Sequence, residues 1–241
     1  MVRRERKHRS HMQQLERPRQ VEPLAPRLFI FAEGQITEPR YIEAFEKLTR
    51  LKVTFIDDIH TNPDGLVQAA LTKVKKLRRA QRSRHADAED RMDFQVWVLF
   101  DQDIPQEHPE NKIAQLMKAF ELARQDGIQI GYTSPCFEQW LLLHFEQQRH
   151  TLSNRELQSR LKNSGHIPNY DHNRGASGEI TSILNEARFH SAKRRAESIN
   201  TTWLSTQYDP QKPDRSLAIA SPYSDIYRLF DVMWEHRRFE E

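Results

Sequence analysis

Three carboxylates stand where the most apolar runs of the chain end: Glu33 after Leu28–Ala32, and Asp101 and Asp103 after Phe94–Phe100. Short, continuous apolar runs of this kind read as strands buried on both faces of a parallel sheet. The carboxyl ends of such strands share one edge, where ligands collect. If the two strands are neighbours, the three acids converge on one small volume and repel one another unless a positive charge sits between them. A hard divalent cation suits such oxygen donors, and Mg2+ keeps several waters for substrate phosphates. Two such ions roughly 4 Å apart would stabilise the attacking and leaving oxygens of phosphodiester cleavage. Gly34, beside Glu33, offers a sharp turn and a close approach of phosphate to the backbone. The plainer reading is that an acidic pair after an apolar strand merely caps the next helix.

The elements that must hold these acids alternate along the chain. A helical pattern opens at Glu38-Pro39, with Thr37 as the expected N-cap, and strand-like alternation covers Leu51–Ile56. Asn62-Pro63-Asp64-Gly65 is a turn signal leading into a helix whose stripe is Val67, Ala70, Leu71, Val74 and Leu77. After the Phe94–Phe100 strand come a helix over Asn111–Arg124 with Gly127 as its C-cap residue, a strand over Ile128–Tyr132, and a very apolar helix over Pro135–Phe145. Strands alternating with amphipathic helices imply crossovers and a parallel sheet. Later residues read as helices near 153–163, 177–200 and 222–237. The expected organisation is therefore a basic, disordered arm and linker over residues 1–26, an α/β layer over 27–147, and a mainly helical region over 148–241 packed on it.

Composition narrows the chemistry. One cysteine in 241 residues excludes an internal disulfide framework and any multi-cysteine zinc or iron–sulfur site. Seven glycines never fall into GxGxxG or GxxxxGK[ST], so dinucleotide and P-loop nucleotide binding lose their usual loops. No apolar run approaches the roughly 20 residues of a membrane span, and no apolar segment follows the charged start MVRRERKHRS. A soluble, cytoplasmic protein is the expectation.

The formal charge of +3 is an average over uneven parts. Residues 1–20 hold seven basic and two acidic residues, with Arg3, Arg4 and Arg6 foremost. Residues 71–86 hold Lys73, Lys75, Lys76, Arg78, Arg79, Arg82 and Arg84 and no acid. Everything else is net acidic. Clustered cations beside an acidic body suit a phosphate polymer, whose neutralised phosphates release condensed counterions. The alternative is an exposed, solvated helix face.

Three segments in order carry a resemblance: Glu33-Gly34-Gln35-Ile36-Thr37-Glu38-Pro39-Arg40-Tyr41, then Asp101-Gln102-Asp103, then Ser134-Pro135-Cys136-Phe137-Glu138-Gln139-Trp140-Leu141-Leu142-Leu143-His144-Phe145. Together they resemble the RloB-like family of bacterial restriction and anti-phage defence loci, which carries a Toprim-type catalytic domain. Ile36 and Gln102 depart from the residues common there, and Ser221–Leu229 resembles the family's ending more loosely. The resemblance covers Arg27–Phe145 best. It implies a Toprim-like parallel-sheet layer and a metal-dependent nuclease acting on DNA or RNA, tRNA included, with a co-encoded ATPase as a partner. Glu33 would serve as metal ligand or general acid/base, Asp101 and Asp103 would bind Mg2+ (or Mn2+), and Glu38 and Glu138 would help to hold a second ion. A non-catalytic nucleic-acid-binding or sensor module and a Toprim nucleotidyl transferase are the competing readings. Cys136, among apolar neighbours, reads as a packing thiol, and His144 as a satisfied core histidine. Arg188, Lys193, Arg194 and Arg195 lie on a helical pattern, either to stabilise a leaving phosphate or as a solvated face.

Overall fold

The first apolar run is buried on both faces, as a central parallel strand must be. Leu28 and Ile30 enter one core, while Phe29 and Phe31 enter the other. The computed structural model describes residues 25–56, 62–171 and 180–237, without the side chains of 181 and 182. Most of the expected arm and linker, including Arg3, Arg4 and Arg6, lies outside the described residues.

In chain order the elements are β1 (Arg27–Ala32), α1 (Thr37–Glu46), β2 (Val53–Phe55), α2 (Pro63–Gln81), β3 (Phe94–Asp101), α3 (Pro109–Asp126) and β4 (Gln129–Ser134). Then follow α4 (Glu138–Leu143), α5 (Asn154–Asn163), α6 (Ile180–Ile183), α7 (Glu186–Gln207), α8 (Pro213–Ala218), β5 (Tyr223–Ser224) and α9 (Tyr227–Glu235). The sheet order is β2-β1-β3-β4-β5. Its first four strands are parallel, and β5 is antiparallel to β4 at the edge. The expected α/β architecture, a parallel layer with flanking helices and a mainly helical C-terminal part, is what the chain adopts. The pairing of β1 with β3, in register from Arg27 opposite Phe94 to Ala32 opposite Leu99, makes the two acid-bearing strands direct neighbours. One core holds α2, α3 and the segment around Ala218 and Ala220, and the other holds α1, α4, α5, α7 and α9.

Local chemistry accounts for the boundaries. Asn62 caps α2 by accepting the Gly65 N–H at 2.9 Å, and Ser153 with Glu156 forms a reciprocal capping box on α5. Gly127 ends α3 in the left-handed region at φ 71°. Elsewhere tertiary pairing overrides the pattern. Thr37 is the first helical residue rather than the cap, which is Ile36 and carries no side-chain hydrogen bond. The apolar segment 135–145 is helical only over Glu138–Leu143, and the Phe137 N–H just before it donates to the Asp101 carboxylate at 3.1 Å. The expected helix from 222 begins only at Tyr227, since Tyr223 and Ser224 pair with β4. The expected helix over 177–200 is broken at Asn185, which caps α7 by accepting the Arg188 N–H at 3.0 Å; residues 177–179 lie outside the described set.

Candidate metal centre at the carboxyl edge of the sheet

Glu33 follows β1 with its backbone still in the ladder, donating its N–H to the Leu99 carbonyl at 2.9 Å. Its carboxylate is fixed twice. Oε2 accepts the Asp101 N–H at 3.2 Å, and Oε1 accepts from Lys112 Nζ, also at 3.2 Å. Burial pushes this carboxyl above its ordinary range, and Lys112 offsets only part of that cost.

Asp101 is the last residue of β3. Burial raises its carboxyl well above the usual carboxylate range, and the charges of Glu38, Asp103, Glu138 and Glu33 push in the same direction. Asp103 sits in the left-handed region at φ 34°. That conformation is uncommon for a non-glycine residue and persists only when its surroundings fix it. They do: the Asp103 N–H donates to the Pro135 carbonyl at 3.1 Å, and Oδ1 accepts from Asn154 Nδ2 at 2.7 Å. Glu138, fully buried in the first turn of α4, accepts from the Tyr170 hydroxyl at 2.7 Å and from Gln158 Nε2 at 3.3 Å. Glu38 is buried in the first turn of α1. Gly34 serves this packing: a Cβ there would overlap the Glu38 carboxylate. Its φ is outside the left-handed region, so its role is room for Glu38 rather than the sharp turn expected from sequence.

Four acids thus surround Asp101 at one sheet edge. Among the described residues, no three or more of His, Cys, Asp and Glu already stand closed around a metal position. Each of Glu33, Asp101, Asp103 and Glu138 is instead turned toward a protein donor. The donor set nonetheless fits a hard divalent cation: every donor is oxygen, Glu38 and Glu138 are buried, Glu33 and Asp101 are partly so, and a positive charge would offset the neighbouring acids that add to the burial cost of Asp101. Loading an ion would exchange some of those hydrogen bonds for coordination.

Other motif residues brace the site. Gln102 donates to the carbonyls of Ala218 and Ala220 at 2.8 and 3.0 Å and accepts the Ser134 hydroxyl at 2.8 Å, locking the loop between the two aspartates. Tyr41 hydrogen-bonds His144 Nε2 at 2.9 Å, and His144 Nδ1 contacts the Trp140 carbonyl at 3.0 Å, so His144 is a satisfied core histidine. Cys136 is buried, and its thiol is pushed up by burial and by Glu138 and Asp101; that favours packing over nucleophilic attack.

The cations divide differently from the acids. Lys112, Asn154, Gln158 and Tyr170 contact the acids directly, and none stood out in sequence. Lys193 is held by Asp231 at 2.7 and 2.8 Å, and exposed Arg194 donates to Ser191 at 3.1 Å. Arg195 donates to the Leu143 carbonyl, and the Arg188 guanidinium lies 5.2 Å from the Phe145 ring centroid. Arg78 pairs with Asp126 at 3.1 Å, and Lys75, Arg79 and Arg82 are exposed. The basic half of α2 lies at the amino edge, away from the acids.

A profile of the RloB-like protein family matches residues 28–233, most of the chain. The chain belongs to the RloB-like family. Comparison with curated proteins and with solved structures gave no match. Among the described residues of this RloB-like protein, no helix is long and apolar enough to cross a membrane.

Proposed function

We propose that this RloB-like protein is a metal-dependent nuclease of Toprim type, hydrolysing phosphodiester bonds of DNA or RNA in bacterial anti-phage defence. The observation that carries the reading is Asp101, desolvated at the carboxyl edge of a parallel sheet and surrounded by four further acids. Glu33, Asp101 and Asp103 would hold one Mg2+ or Mn2+, and Glu38 and Glu138 would help with a second. A bound divalent ion supplies Lewis acidity toward phosphoryl oxygens and an activated water near neutral pH. Glu33, tied to the Asp101 backbone, keeps a carboxylate oriented to take or return a proton. Lys112, which donates to Glu33, would supply a positive charge for an anionic substrate oxygen if Glu33 held the ion. The cytoplasm and a co-encoded ATPase partner belong to the same proposal.

The test is Mg2+- or Mn2+-dependent cleavage of DNA and RNA by the wild type, compared with Glu33→Ala and Asp101→Ala. Cleavage lost in both variants is expected. Cleavage surviving both would sink the assignment. Binding without cleavage across metals and substrates would support a sensor module, and product from free nucleotides would support a transferase.

A further inference from the structure

The crossover after β2 sends α2 back across the sheet, so the helix ends at the edge opposite the acids. There Gln81 Nε2 donates to the Met92 carbonyl just before β3, and Arg78 meets Asp126 at the end of α3. At this amino edge four cations gather about one ring. Arg27, Lys52, Lys73 and Lys76 line a cavity of about 340 Å³ beside Phe29. The Lys73 ammonium stands 4.3 Å from the Phe29 ring centroid, and the Arg27 guanidinium 5.5 Å.

The acids at this edge do not complete the cluster. Glu89 approaches Arg27 and Lys52 at 3.7 and 3.8 Å, longer than a hydrogen-bonded ion pair. Asp90 also lines the cavity. Arg27 Nε is buried with no hydrogen-bond partner, a rare condition for a charged donor. Lys73 is pushed below its ordinary range by partial burial and by the charges of Lys76 and Arg27. Cations assembled against an aromatic face, with one buried donor unmet, present what an anion would satisfy.

We propose that this amino-edge cluster is a second docking site of the protein, taking phosphate groups of a nucleic-acid backbone at a distance from the acids. The choice of polyanion rests on the nuclease reading, while the binding itself does not require cleavage. The six-residue β1 separates the two edges by about 20 Å at ~3.3 Å per residue. A substrate held at both edges must therefore reach at least about six base pairs along a duplex at ~3.4 Å each.

The test uses the full chain and the exposed pair Lys52→Ala/Lys76→Ala, whose positions leave the core untouched. Binding of a labelled DNA duplex and a labelled RNA strand, each of about 30 nucleotides, is measured by anisotropy over a salt series. The expected result is weaker binding, with the slope of log K against log salt reduced by about two. Hydrolysis of the small diester bis(4-nitrophenyl) phosphate, which cannot span the edges, should stay at the wild-type rate. Unchanged affinity and slope for both nucleic acids would overturn the docking site. A chain that cleaves nothing yet loses binding in the double variant would keep the docking site and remove the nuclease assignment.

Discussion

Glu33 Oε2 accepts the backbone N–H of Asp101 at 3.2 Å, joining residues 68 positions apart through the end of the β1–β3 ladder. Glu33 is thereby held by the backbone of the residue with which the proposed site pairs it, and the sheet register fixes their relative position. The electrostatic consequence is unfavourable. Both carboxyls are raised by burial, and each lies in the field of other acids. Holding such a cluster together costs stability when no cation fills it.

Asp101→Asn separates those two sides. The amide oxygen can still accept the Phe137 N–H, so the local hydrogen bonding survives. Without added metal, the variant should melt a few degrees above the wild type, since ~1 kcal/mol corresponds to roughly 2–4 °C in a chain this size. Its nuclease rate should fall by on the order of 10²–10³. Wild type should gain stability as Mg2+ is added, by about 2.7 kcal/mol at a hundredfold excess over Kd, and the variant should not. Thermal melts with and without Mg2+, beside cleavage rates, check all three. A variant that melts lower without metal would contradict the repulsion argument.

Gly34→Ala tests whether the space beside Glu33 belongs to Glu38. An added Cβ would meet the Glu38 carboxylate, which must move, although the backbone φ itself suits alanine. The melting temperature should drop modestly, while metal-dependent cleavage should fall by an order of magnitude or more, as expected when a positioned group is displaced by ~1 Å. Rates measured across a Mg2+ series would show whether the loss lies in metal affinity. Wild-type cleavage would mean that Glu38 has no part in the site.

Much of this arrangement could be read from sequence, and the remainder has identifiable causes. The acids after Leu28–Ala32 and Phe94–Phe100 were legible because parallel strands announce themselves as unbroken apolar runs and their carboxyl ends share an edge. Lys112, Asn154, Gln158 and Tyr170 were not, because each is an ordinary polar residue locally and meets its acid only through tertiary contact. A usable signal for Lys112 was its place just before buried Ile113, at the border of the helix's core stripe. Tyr41 and His144 belong to separate motifs, and the bond between them shows that much of the shared pattern builds core rather than chemistry. The position of the basic block was also derivable. A helix leaving the carboxyl end of a strand must run back toward the amino edge, so cations in its later half lie far from the acids.

The buried His144 sets a pH dependence of stability. Burial lowers its pKa to about 4, below the ordinary 6.5, despite favourable contacts with the Trp140 and Leu141 backbone. The unfolded chain therefore takes the proton first. The contribution is fully present above pH ~6.5 and is lost as pH falls toward ~4, amounting to about 3 kcal/mol at the linkage rate of ~1.4 kcal/mol per pH unit. Asp225 acts oppositely: burial raises it to about 6, so its folded form favours the proton and its stabilising contribution is lost as pH rises through that value. Denaturant titrations of wild type and Asp225→Asn should diverge most near neutral pH. The imidazole of His144, followed by NMR, should stay neutral down to about pH 5. Titration near 6.5 in the folded protein would refute its burial.

Lys112 holds the oxygen of Glu33 for which a metal ion would compete in the proposed site. Lys112 Nζ donates to Glu33 Oε1 at 3.2 Å, and both side chains are largely buried, at 14% and 21% exposure. Removing the ammonium in Lys112→Met keeps the aliphatic packing and leaves Glu33 buried without its cation. Losing one partner of a mostly buried pair is costly because the other charge stays behind, so the metal-free variant should melt below wild type. The added stability on titrating Mg2+ should then be larger than in wild type, because no ammonium has to be displaced from Glu33. Cleavage should still fall, as the cation placed to meet substrate charge is gone. Paired melting curves and single-turnover rates test the combination. A variant whose Mg2+-dependent stabilisation is smaller than wild type would show that Lys112 supports the ion's site instead of competing for it.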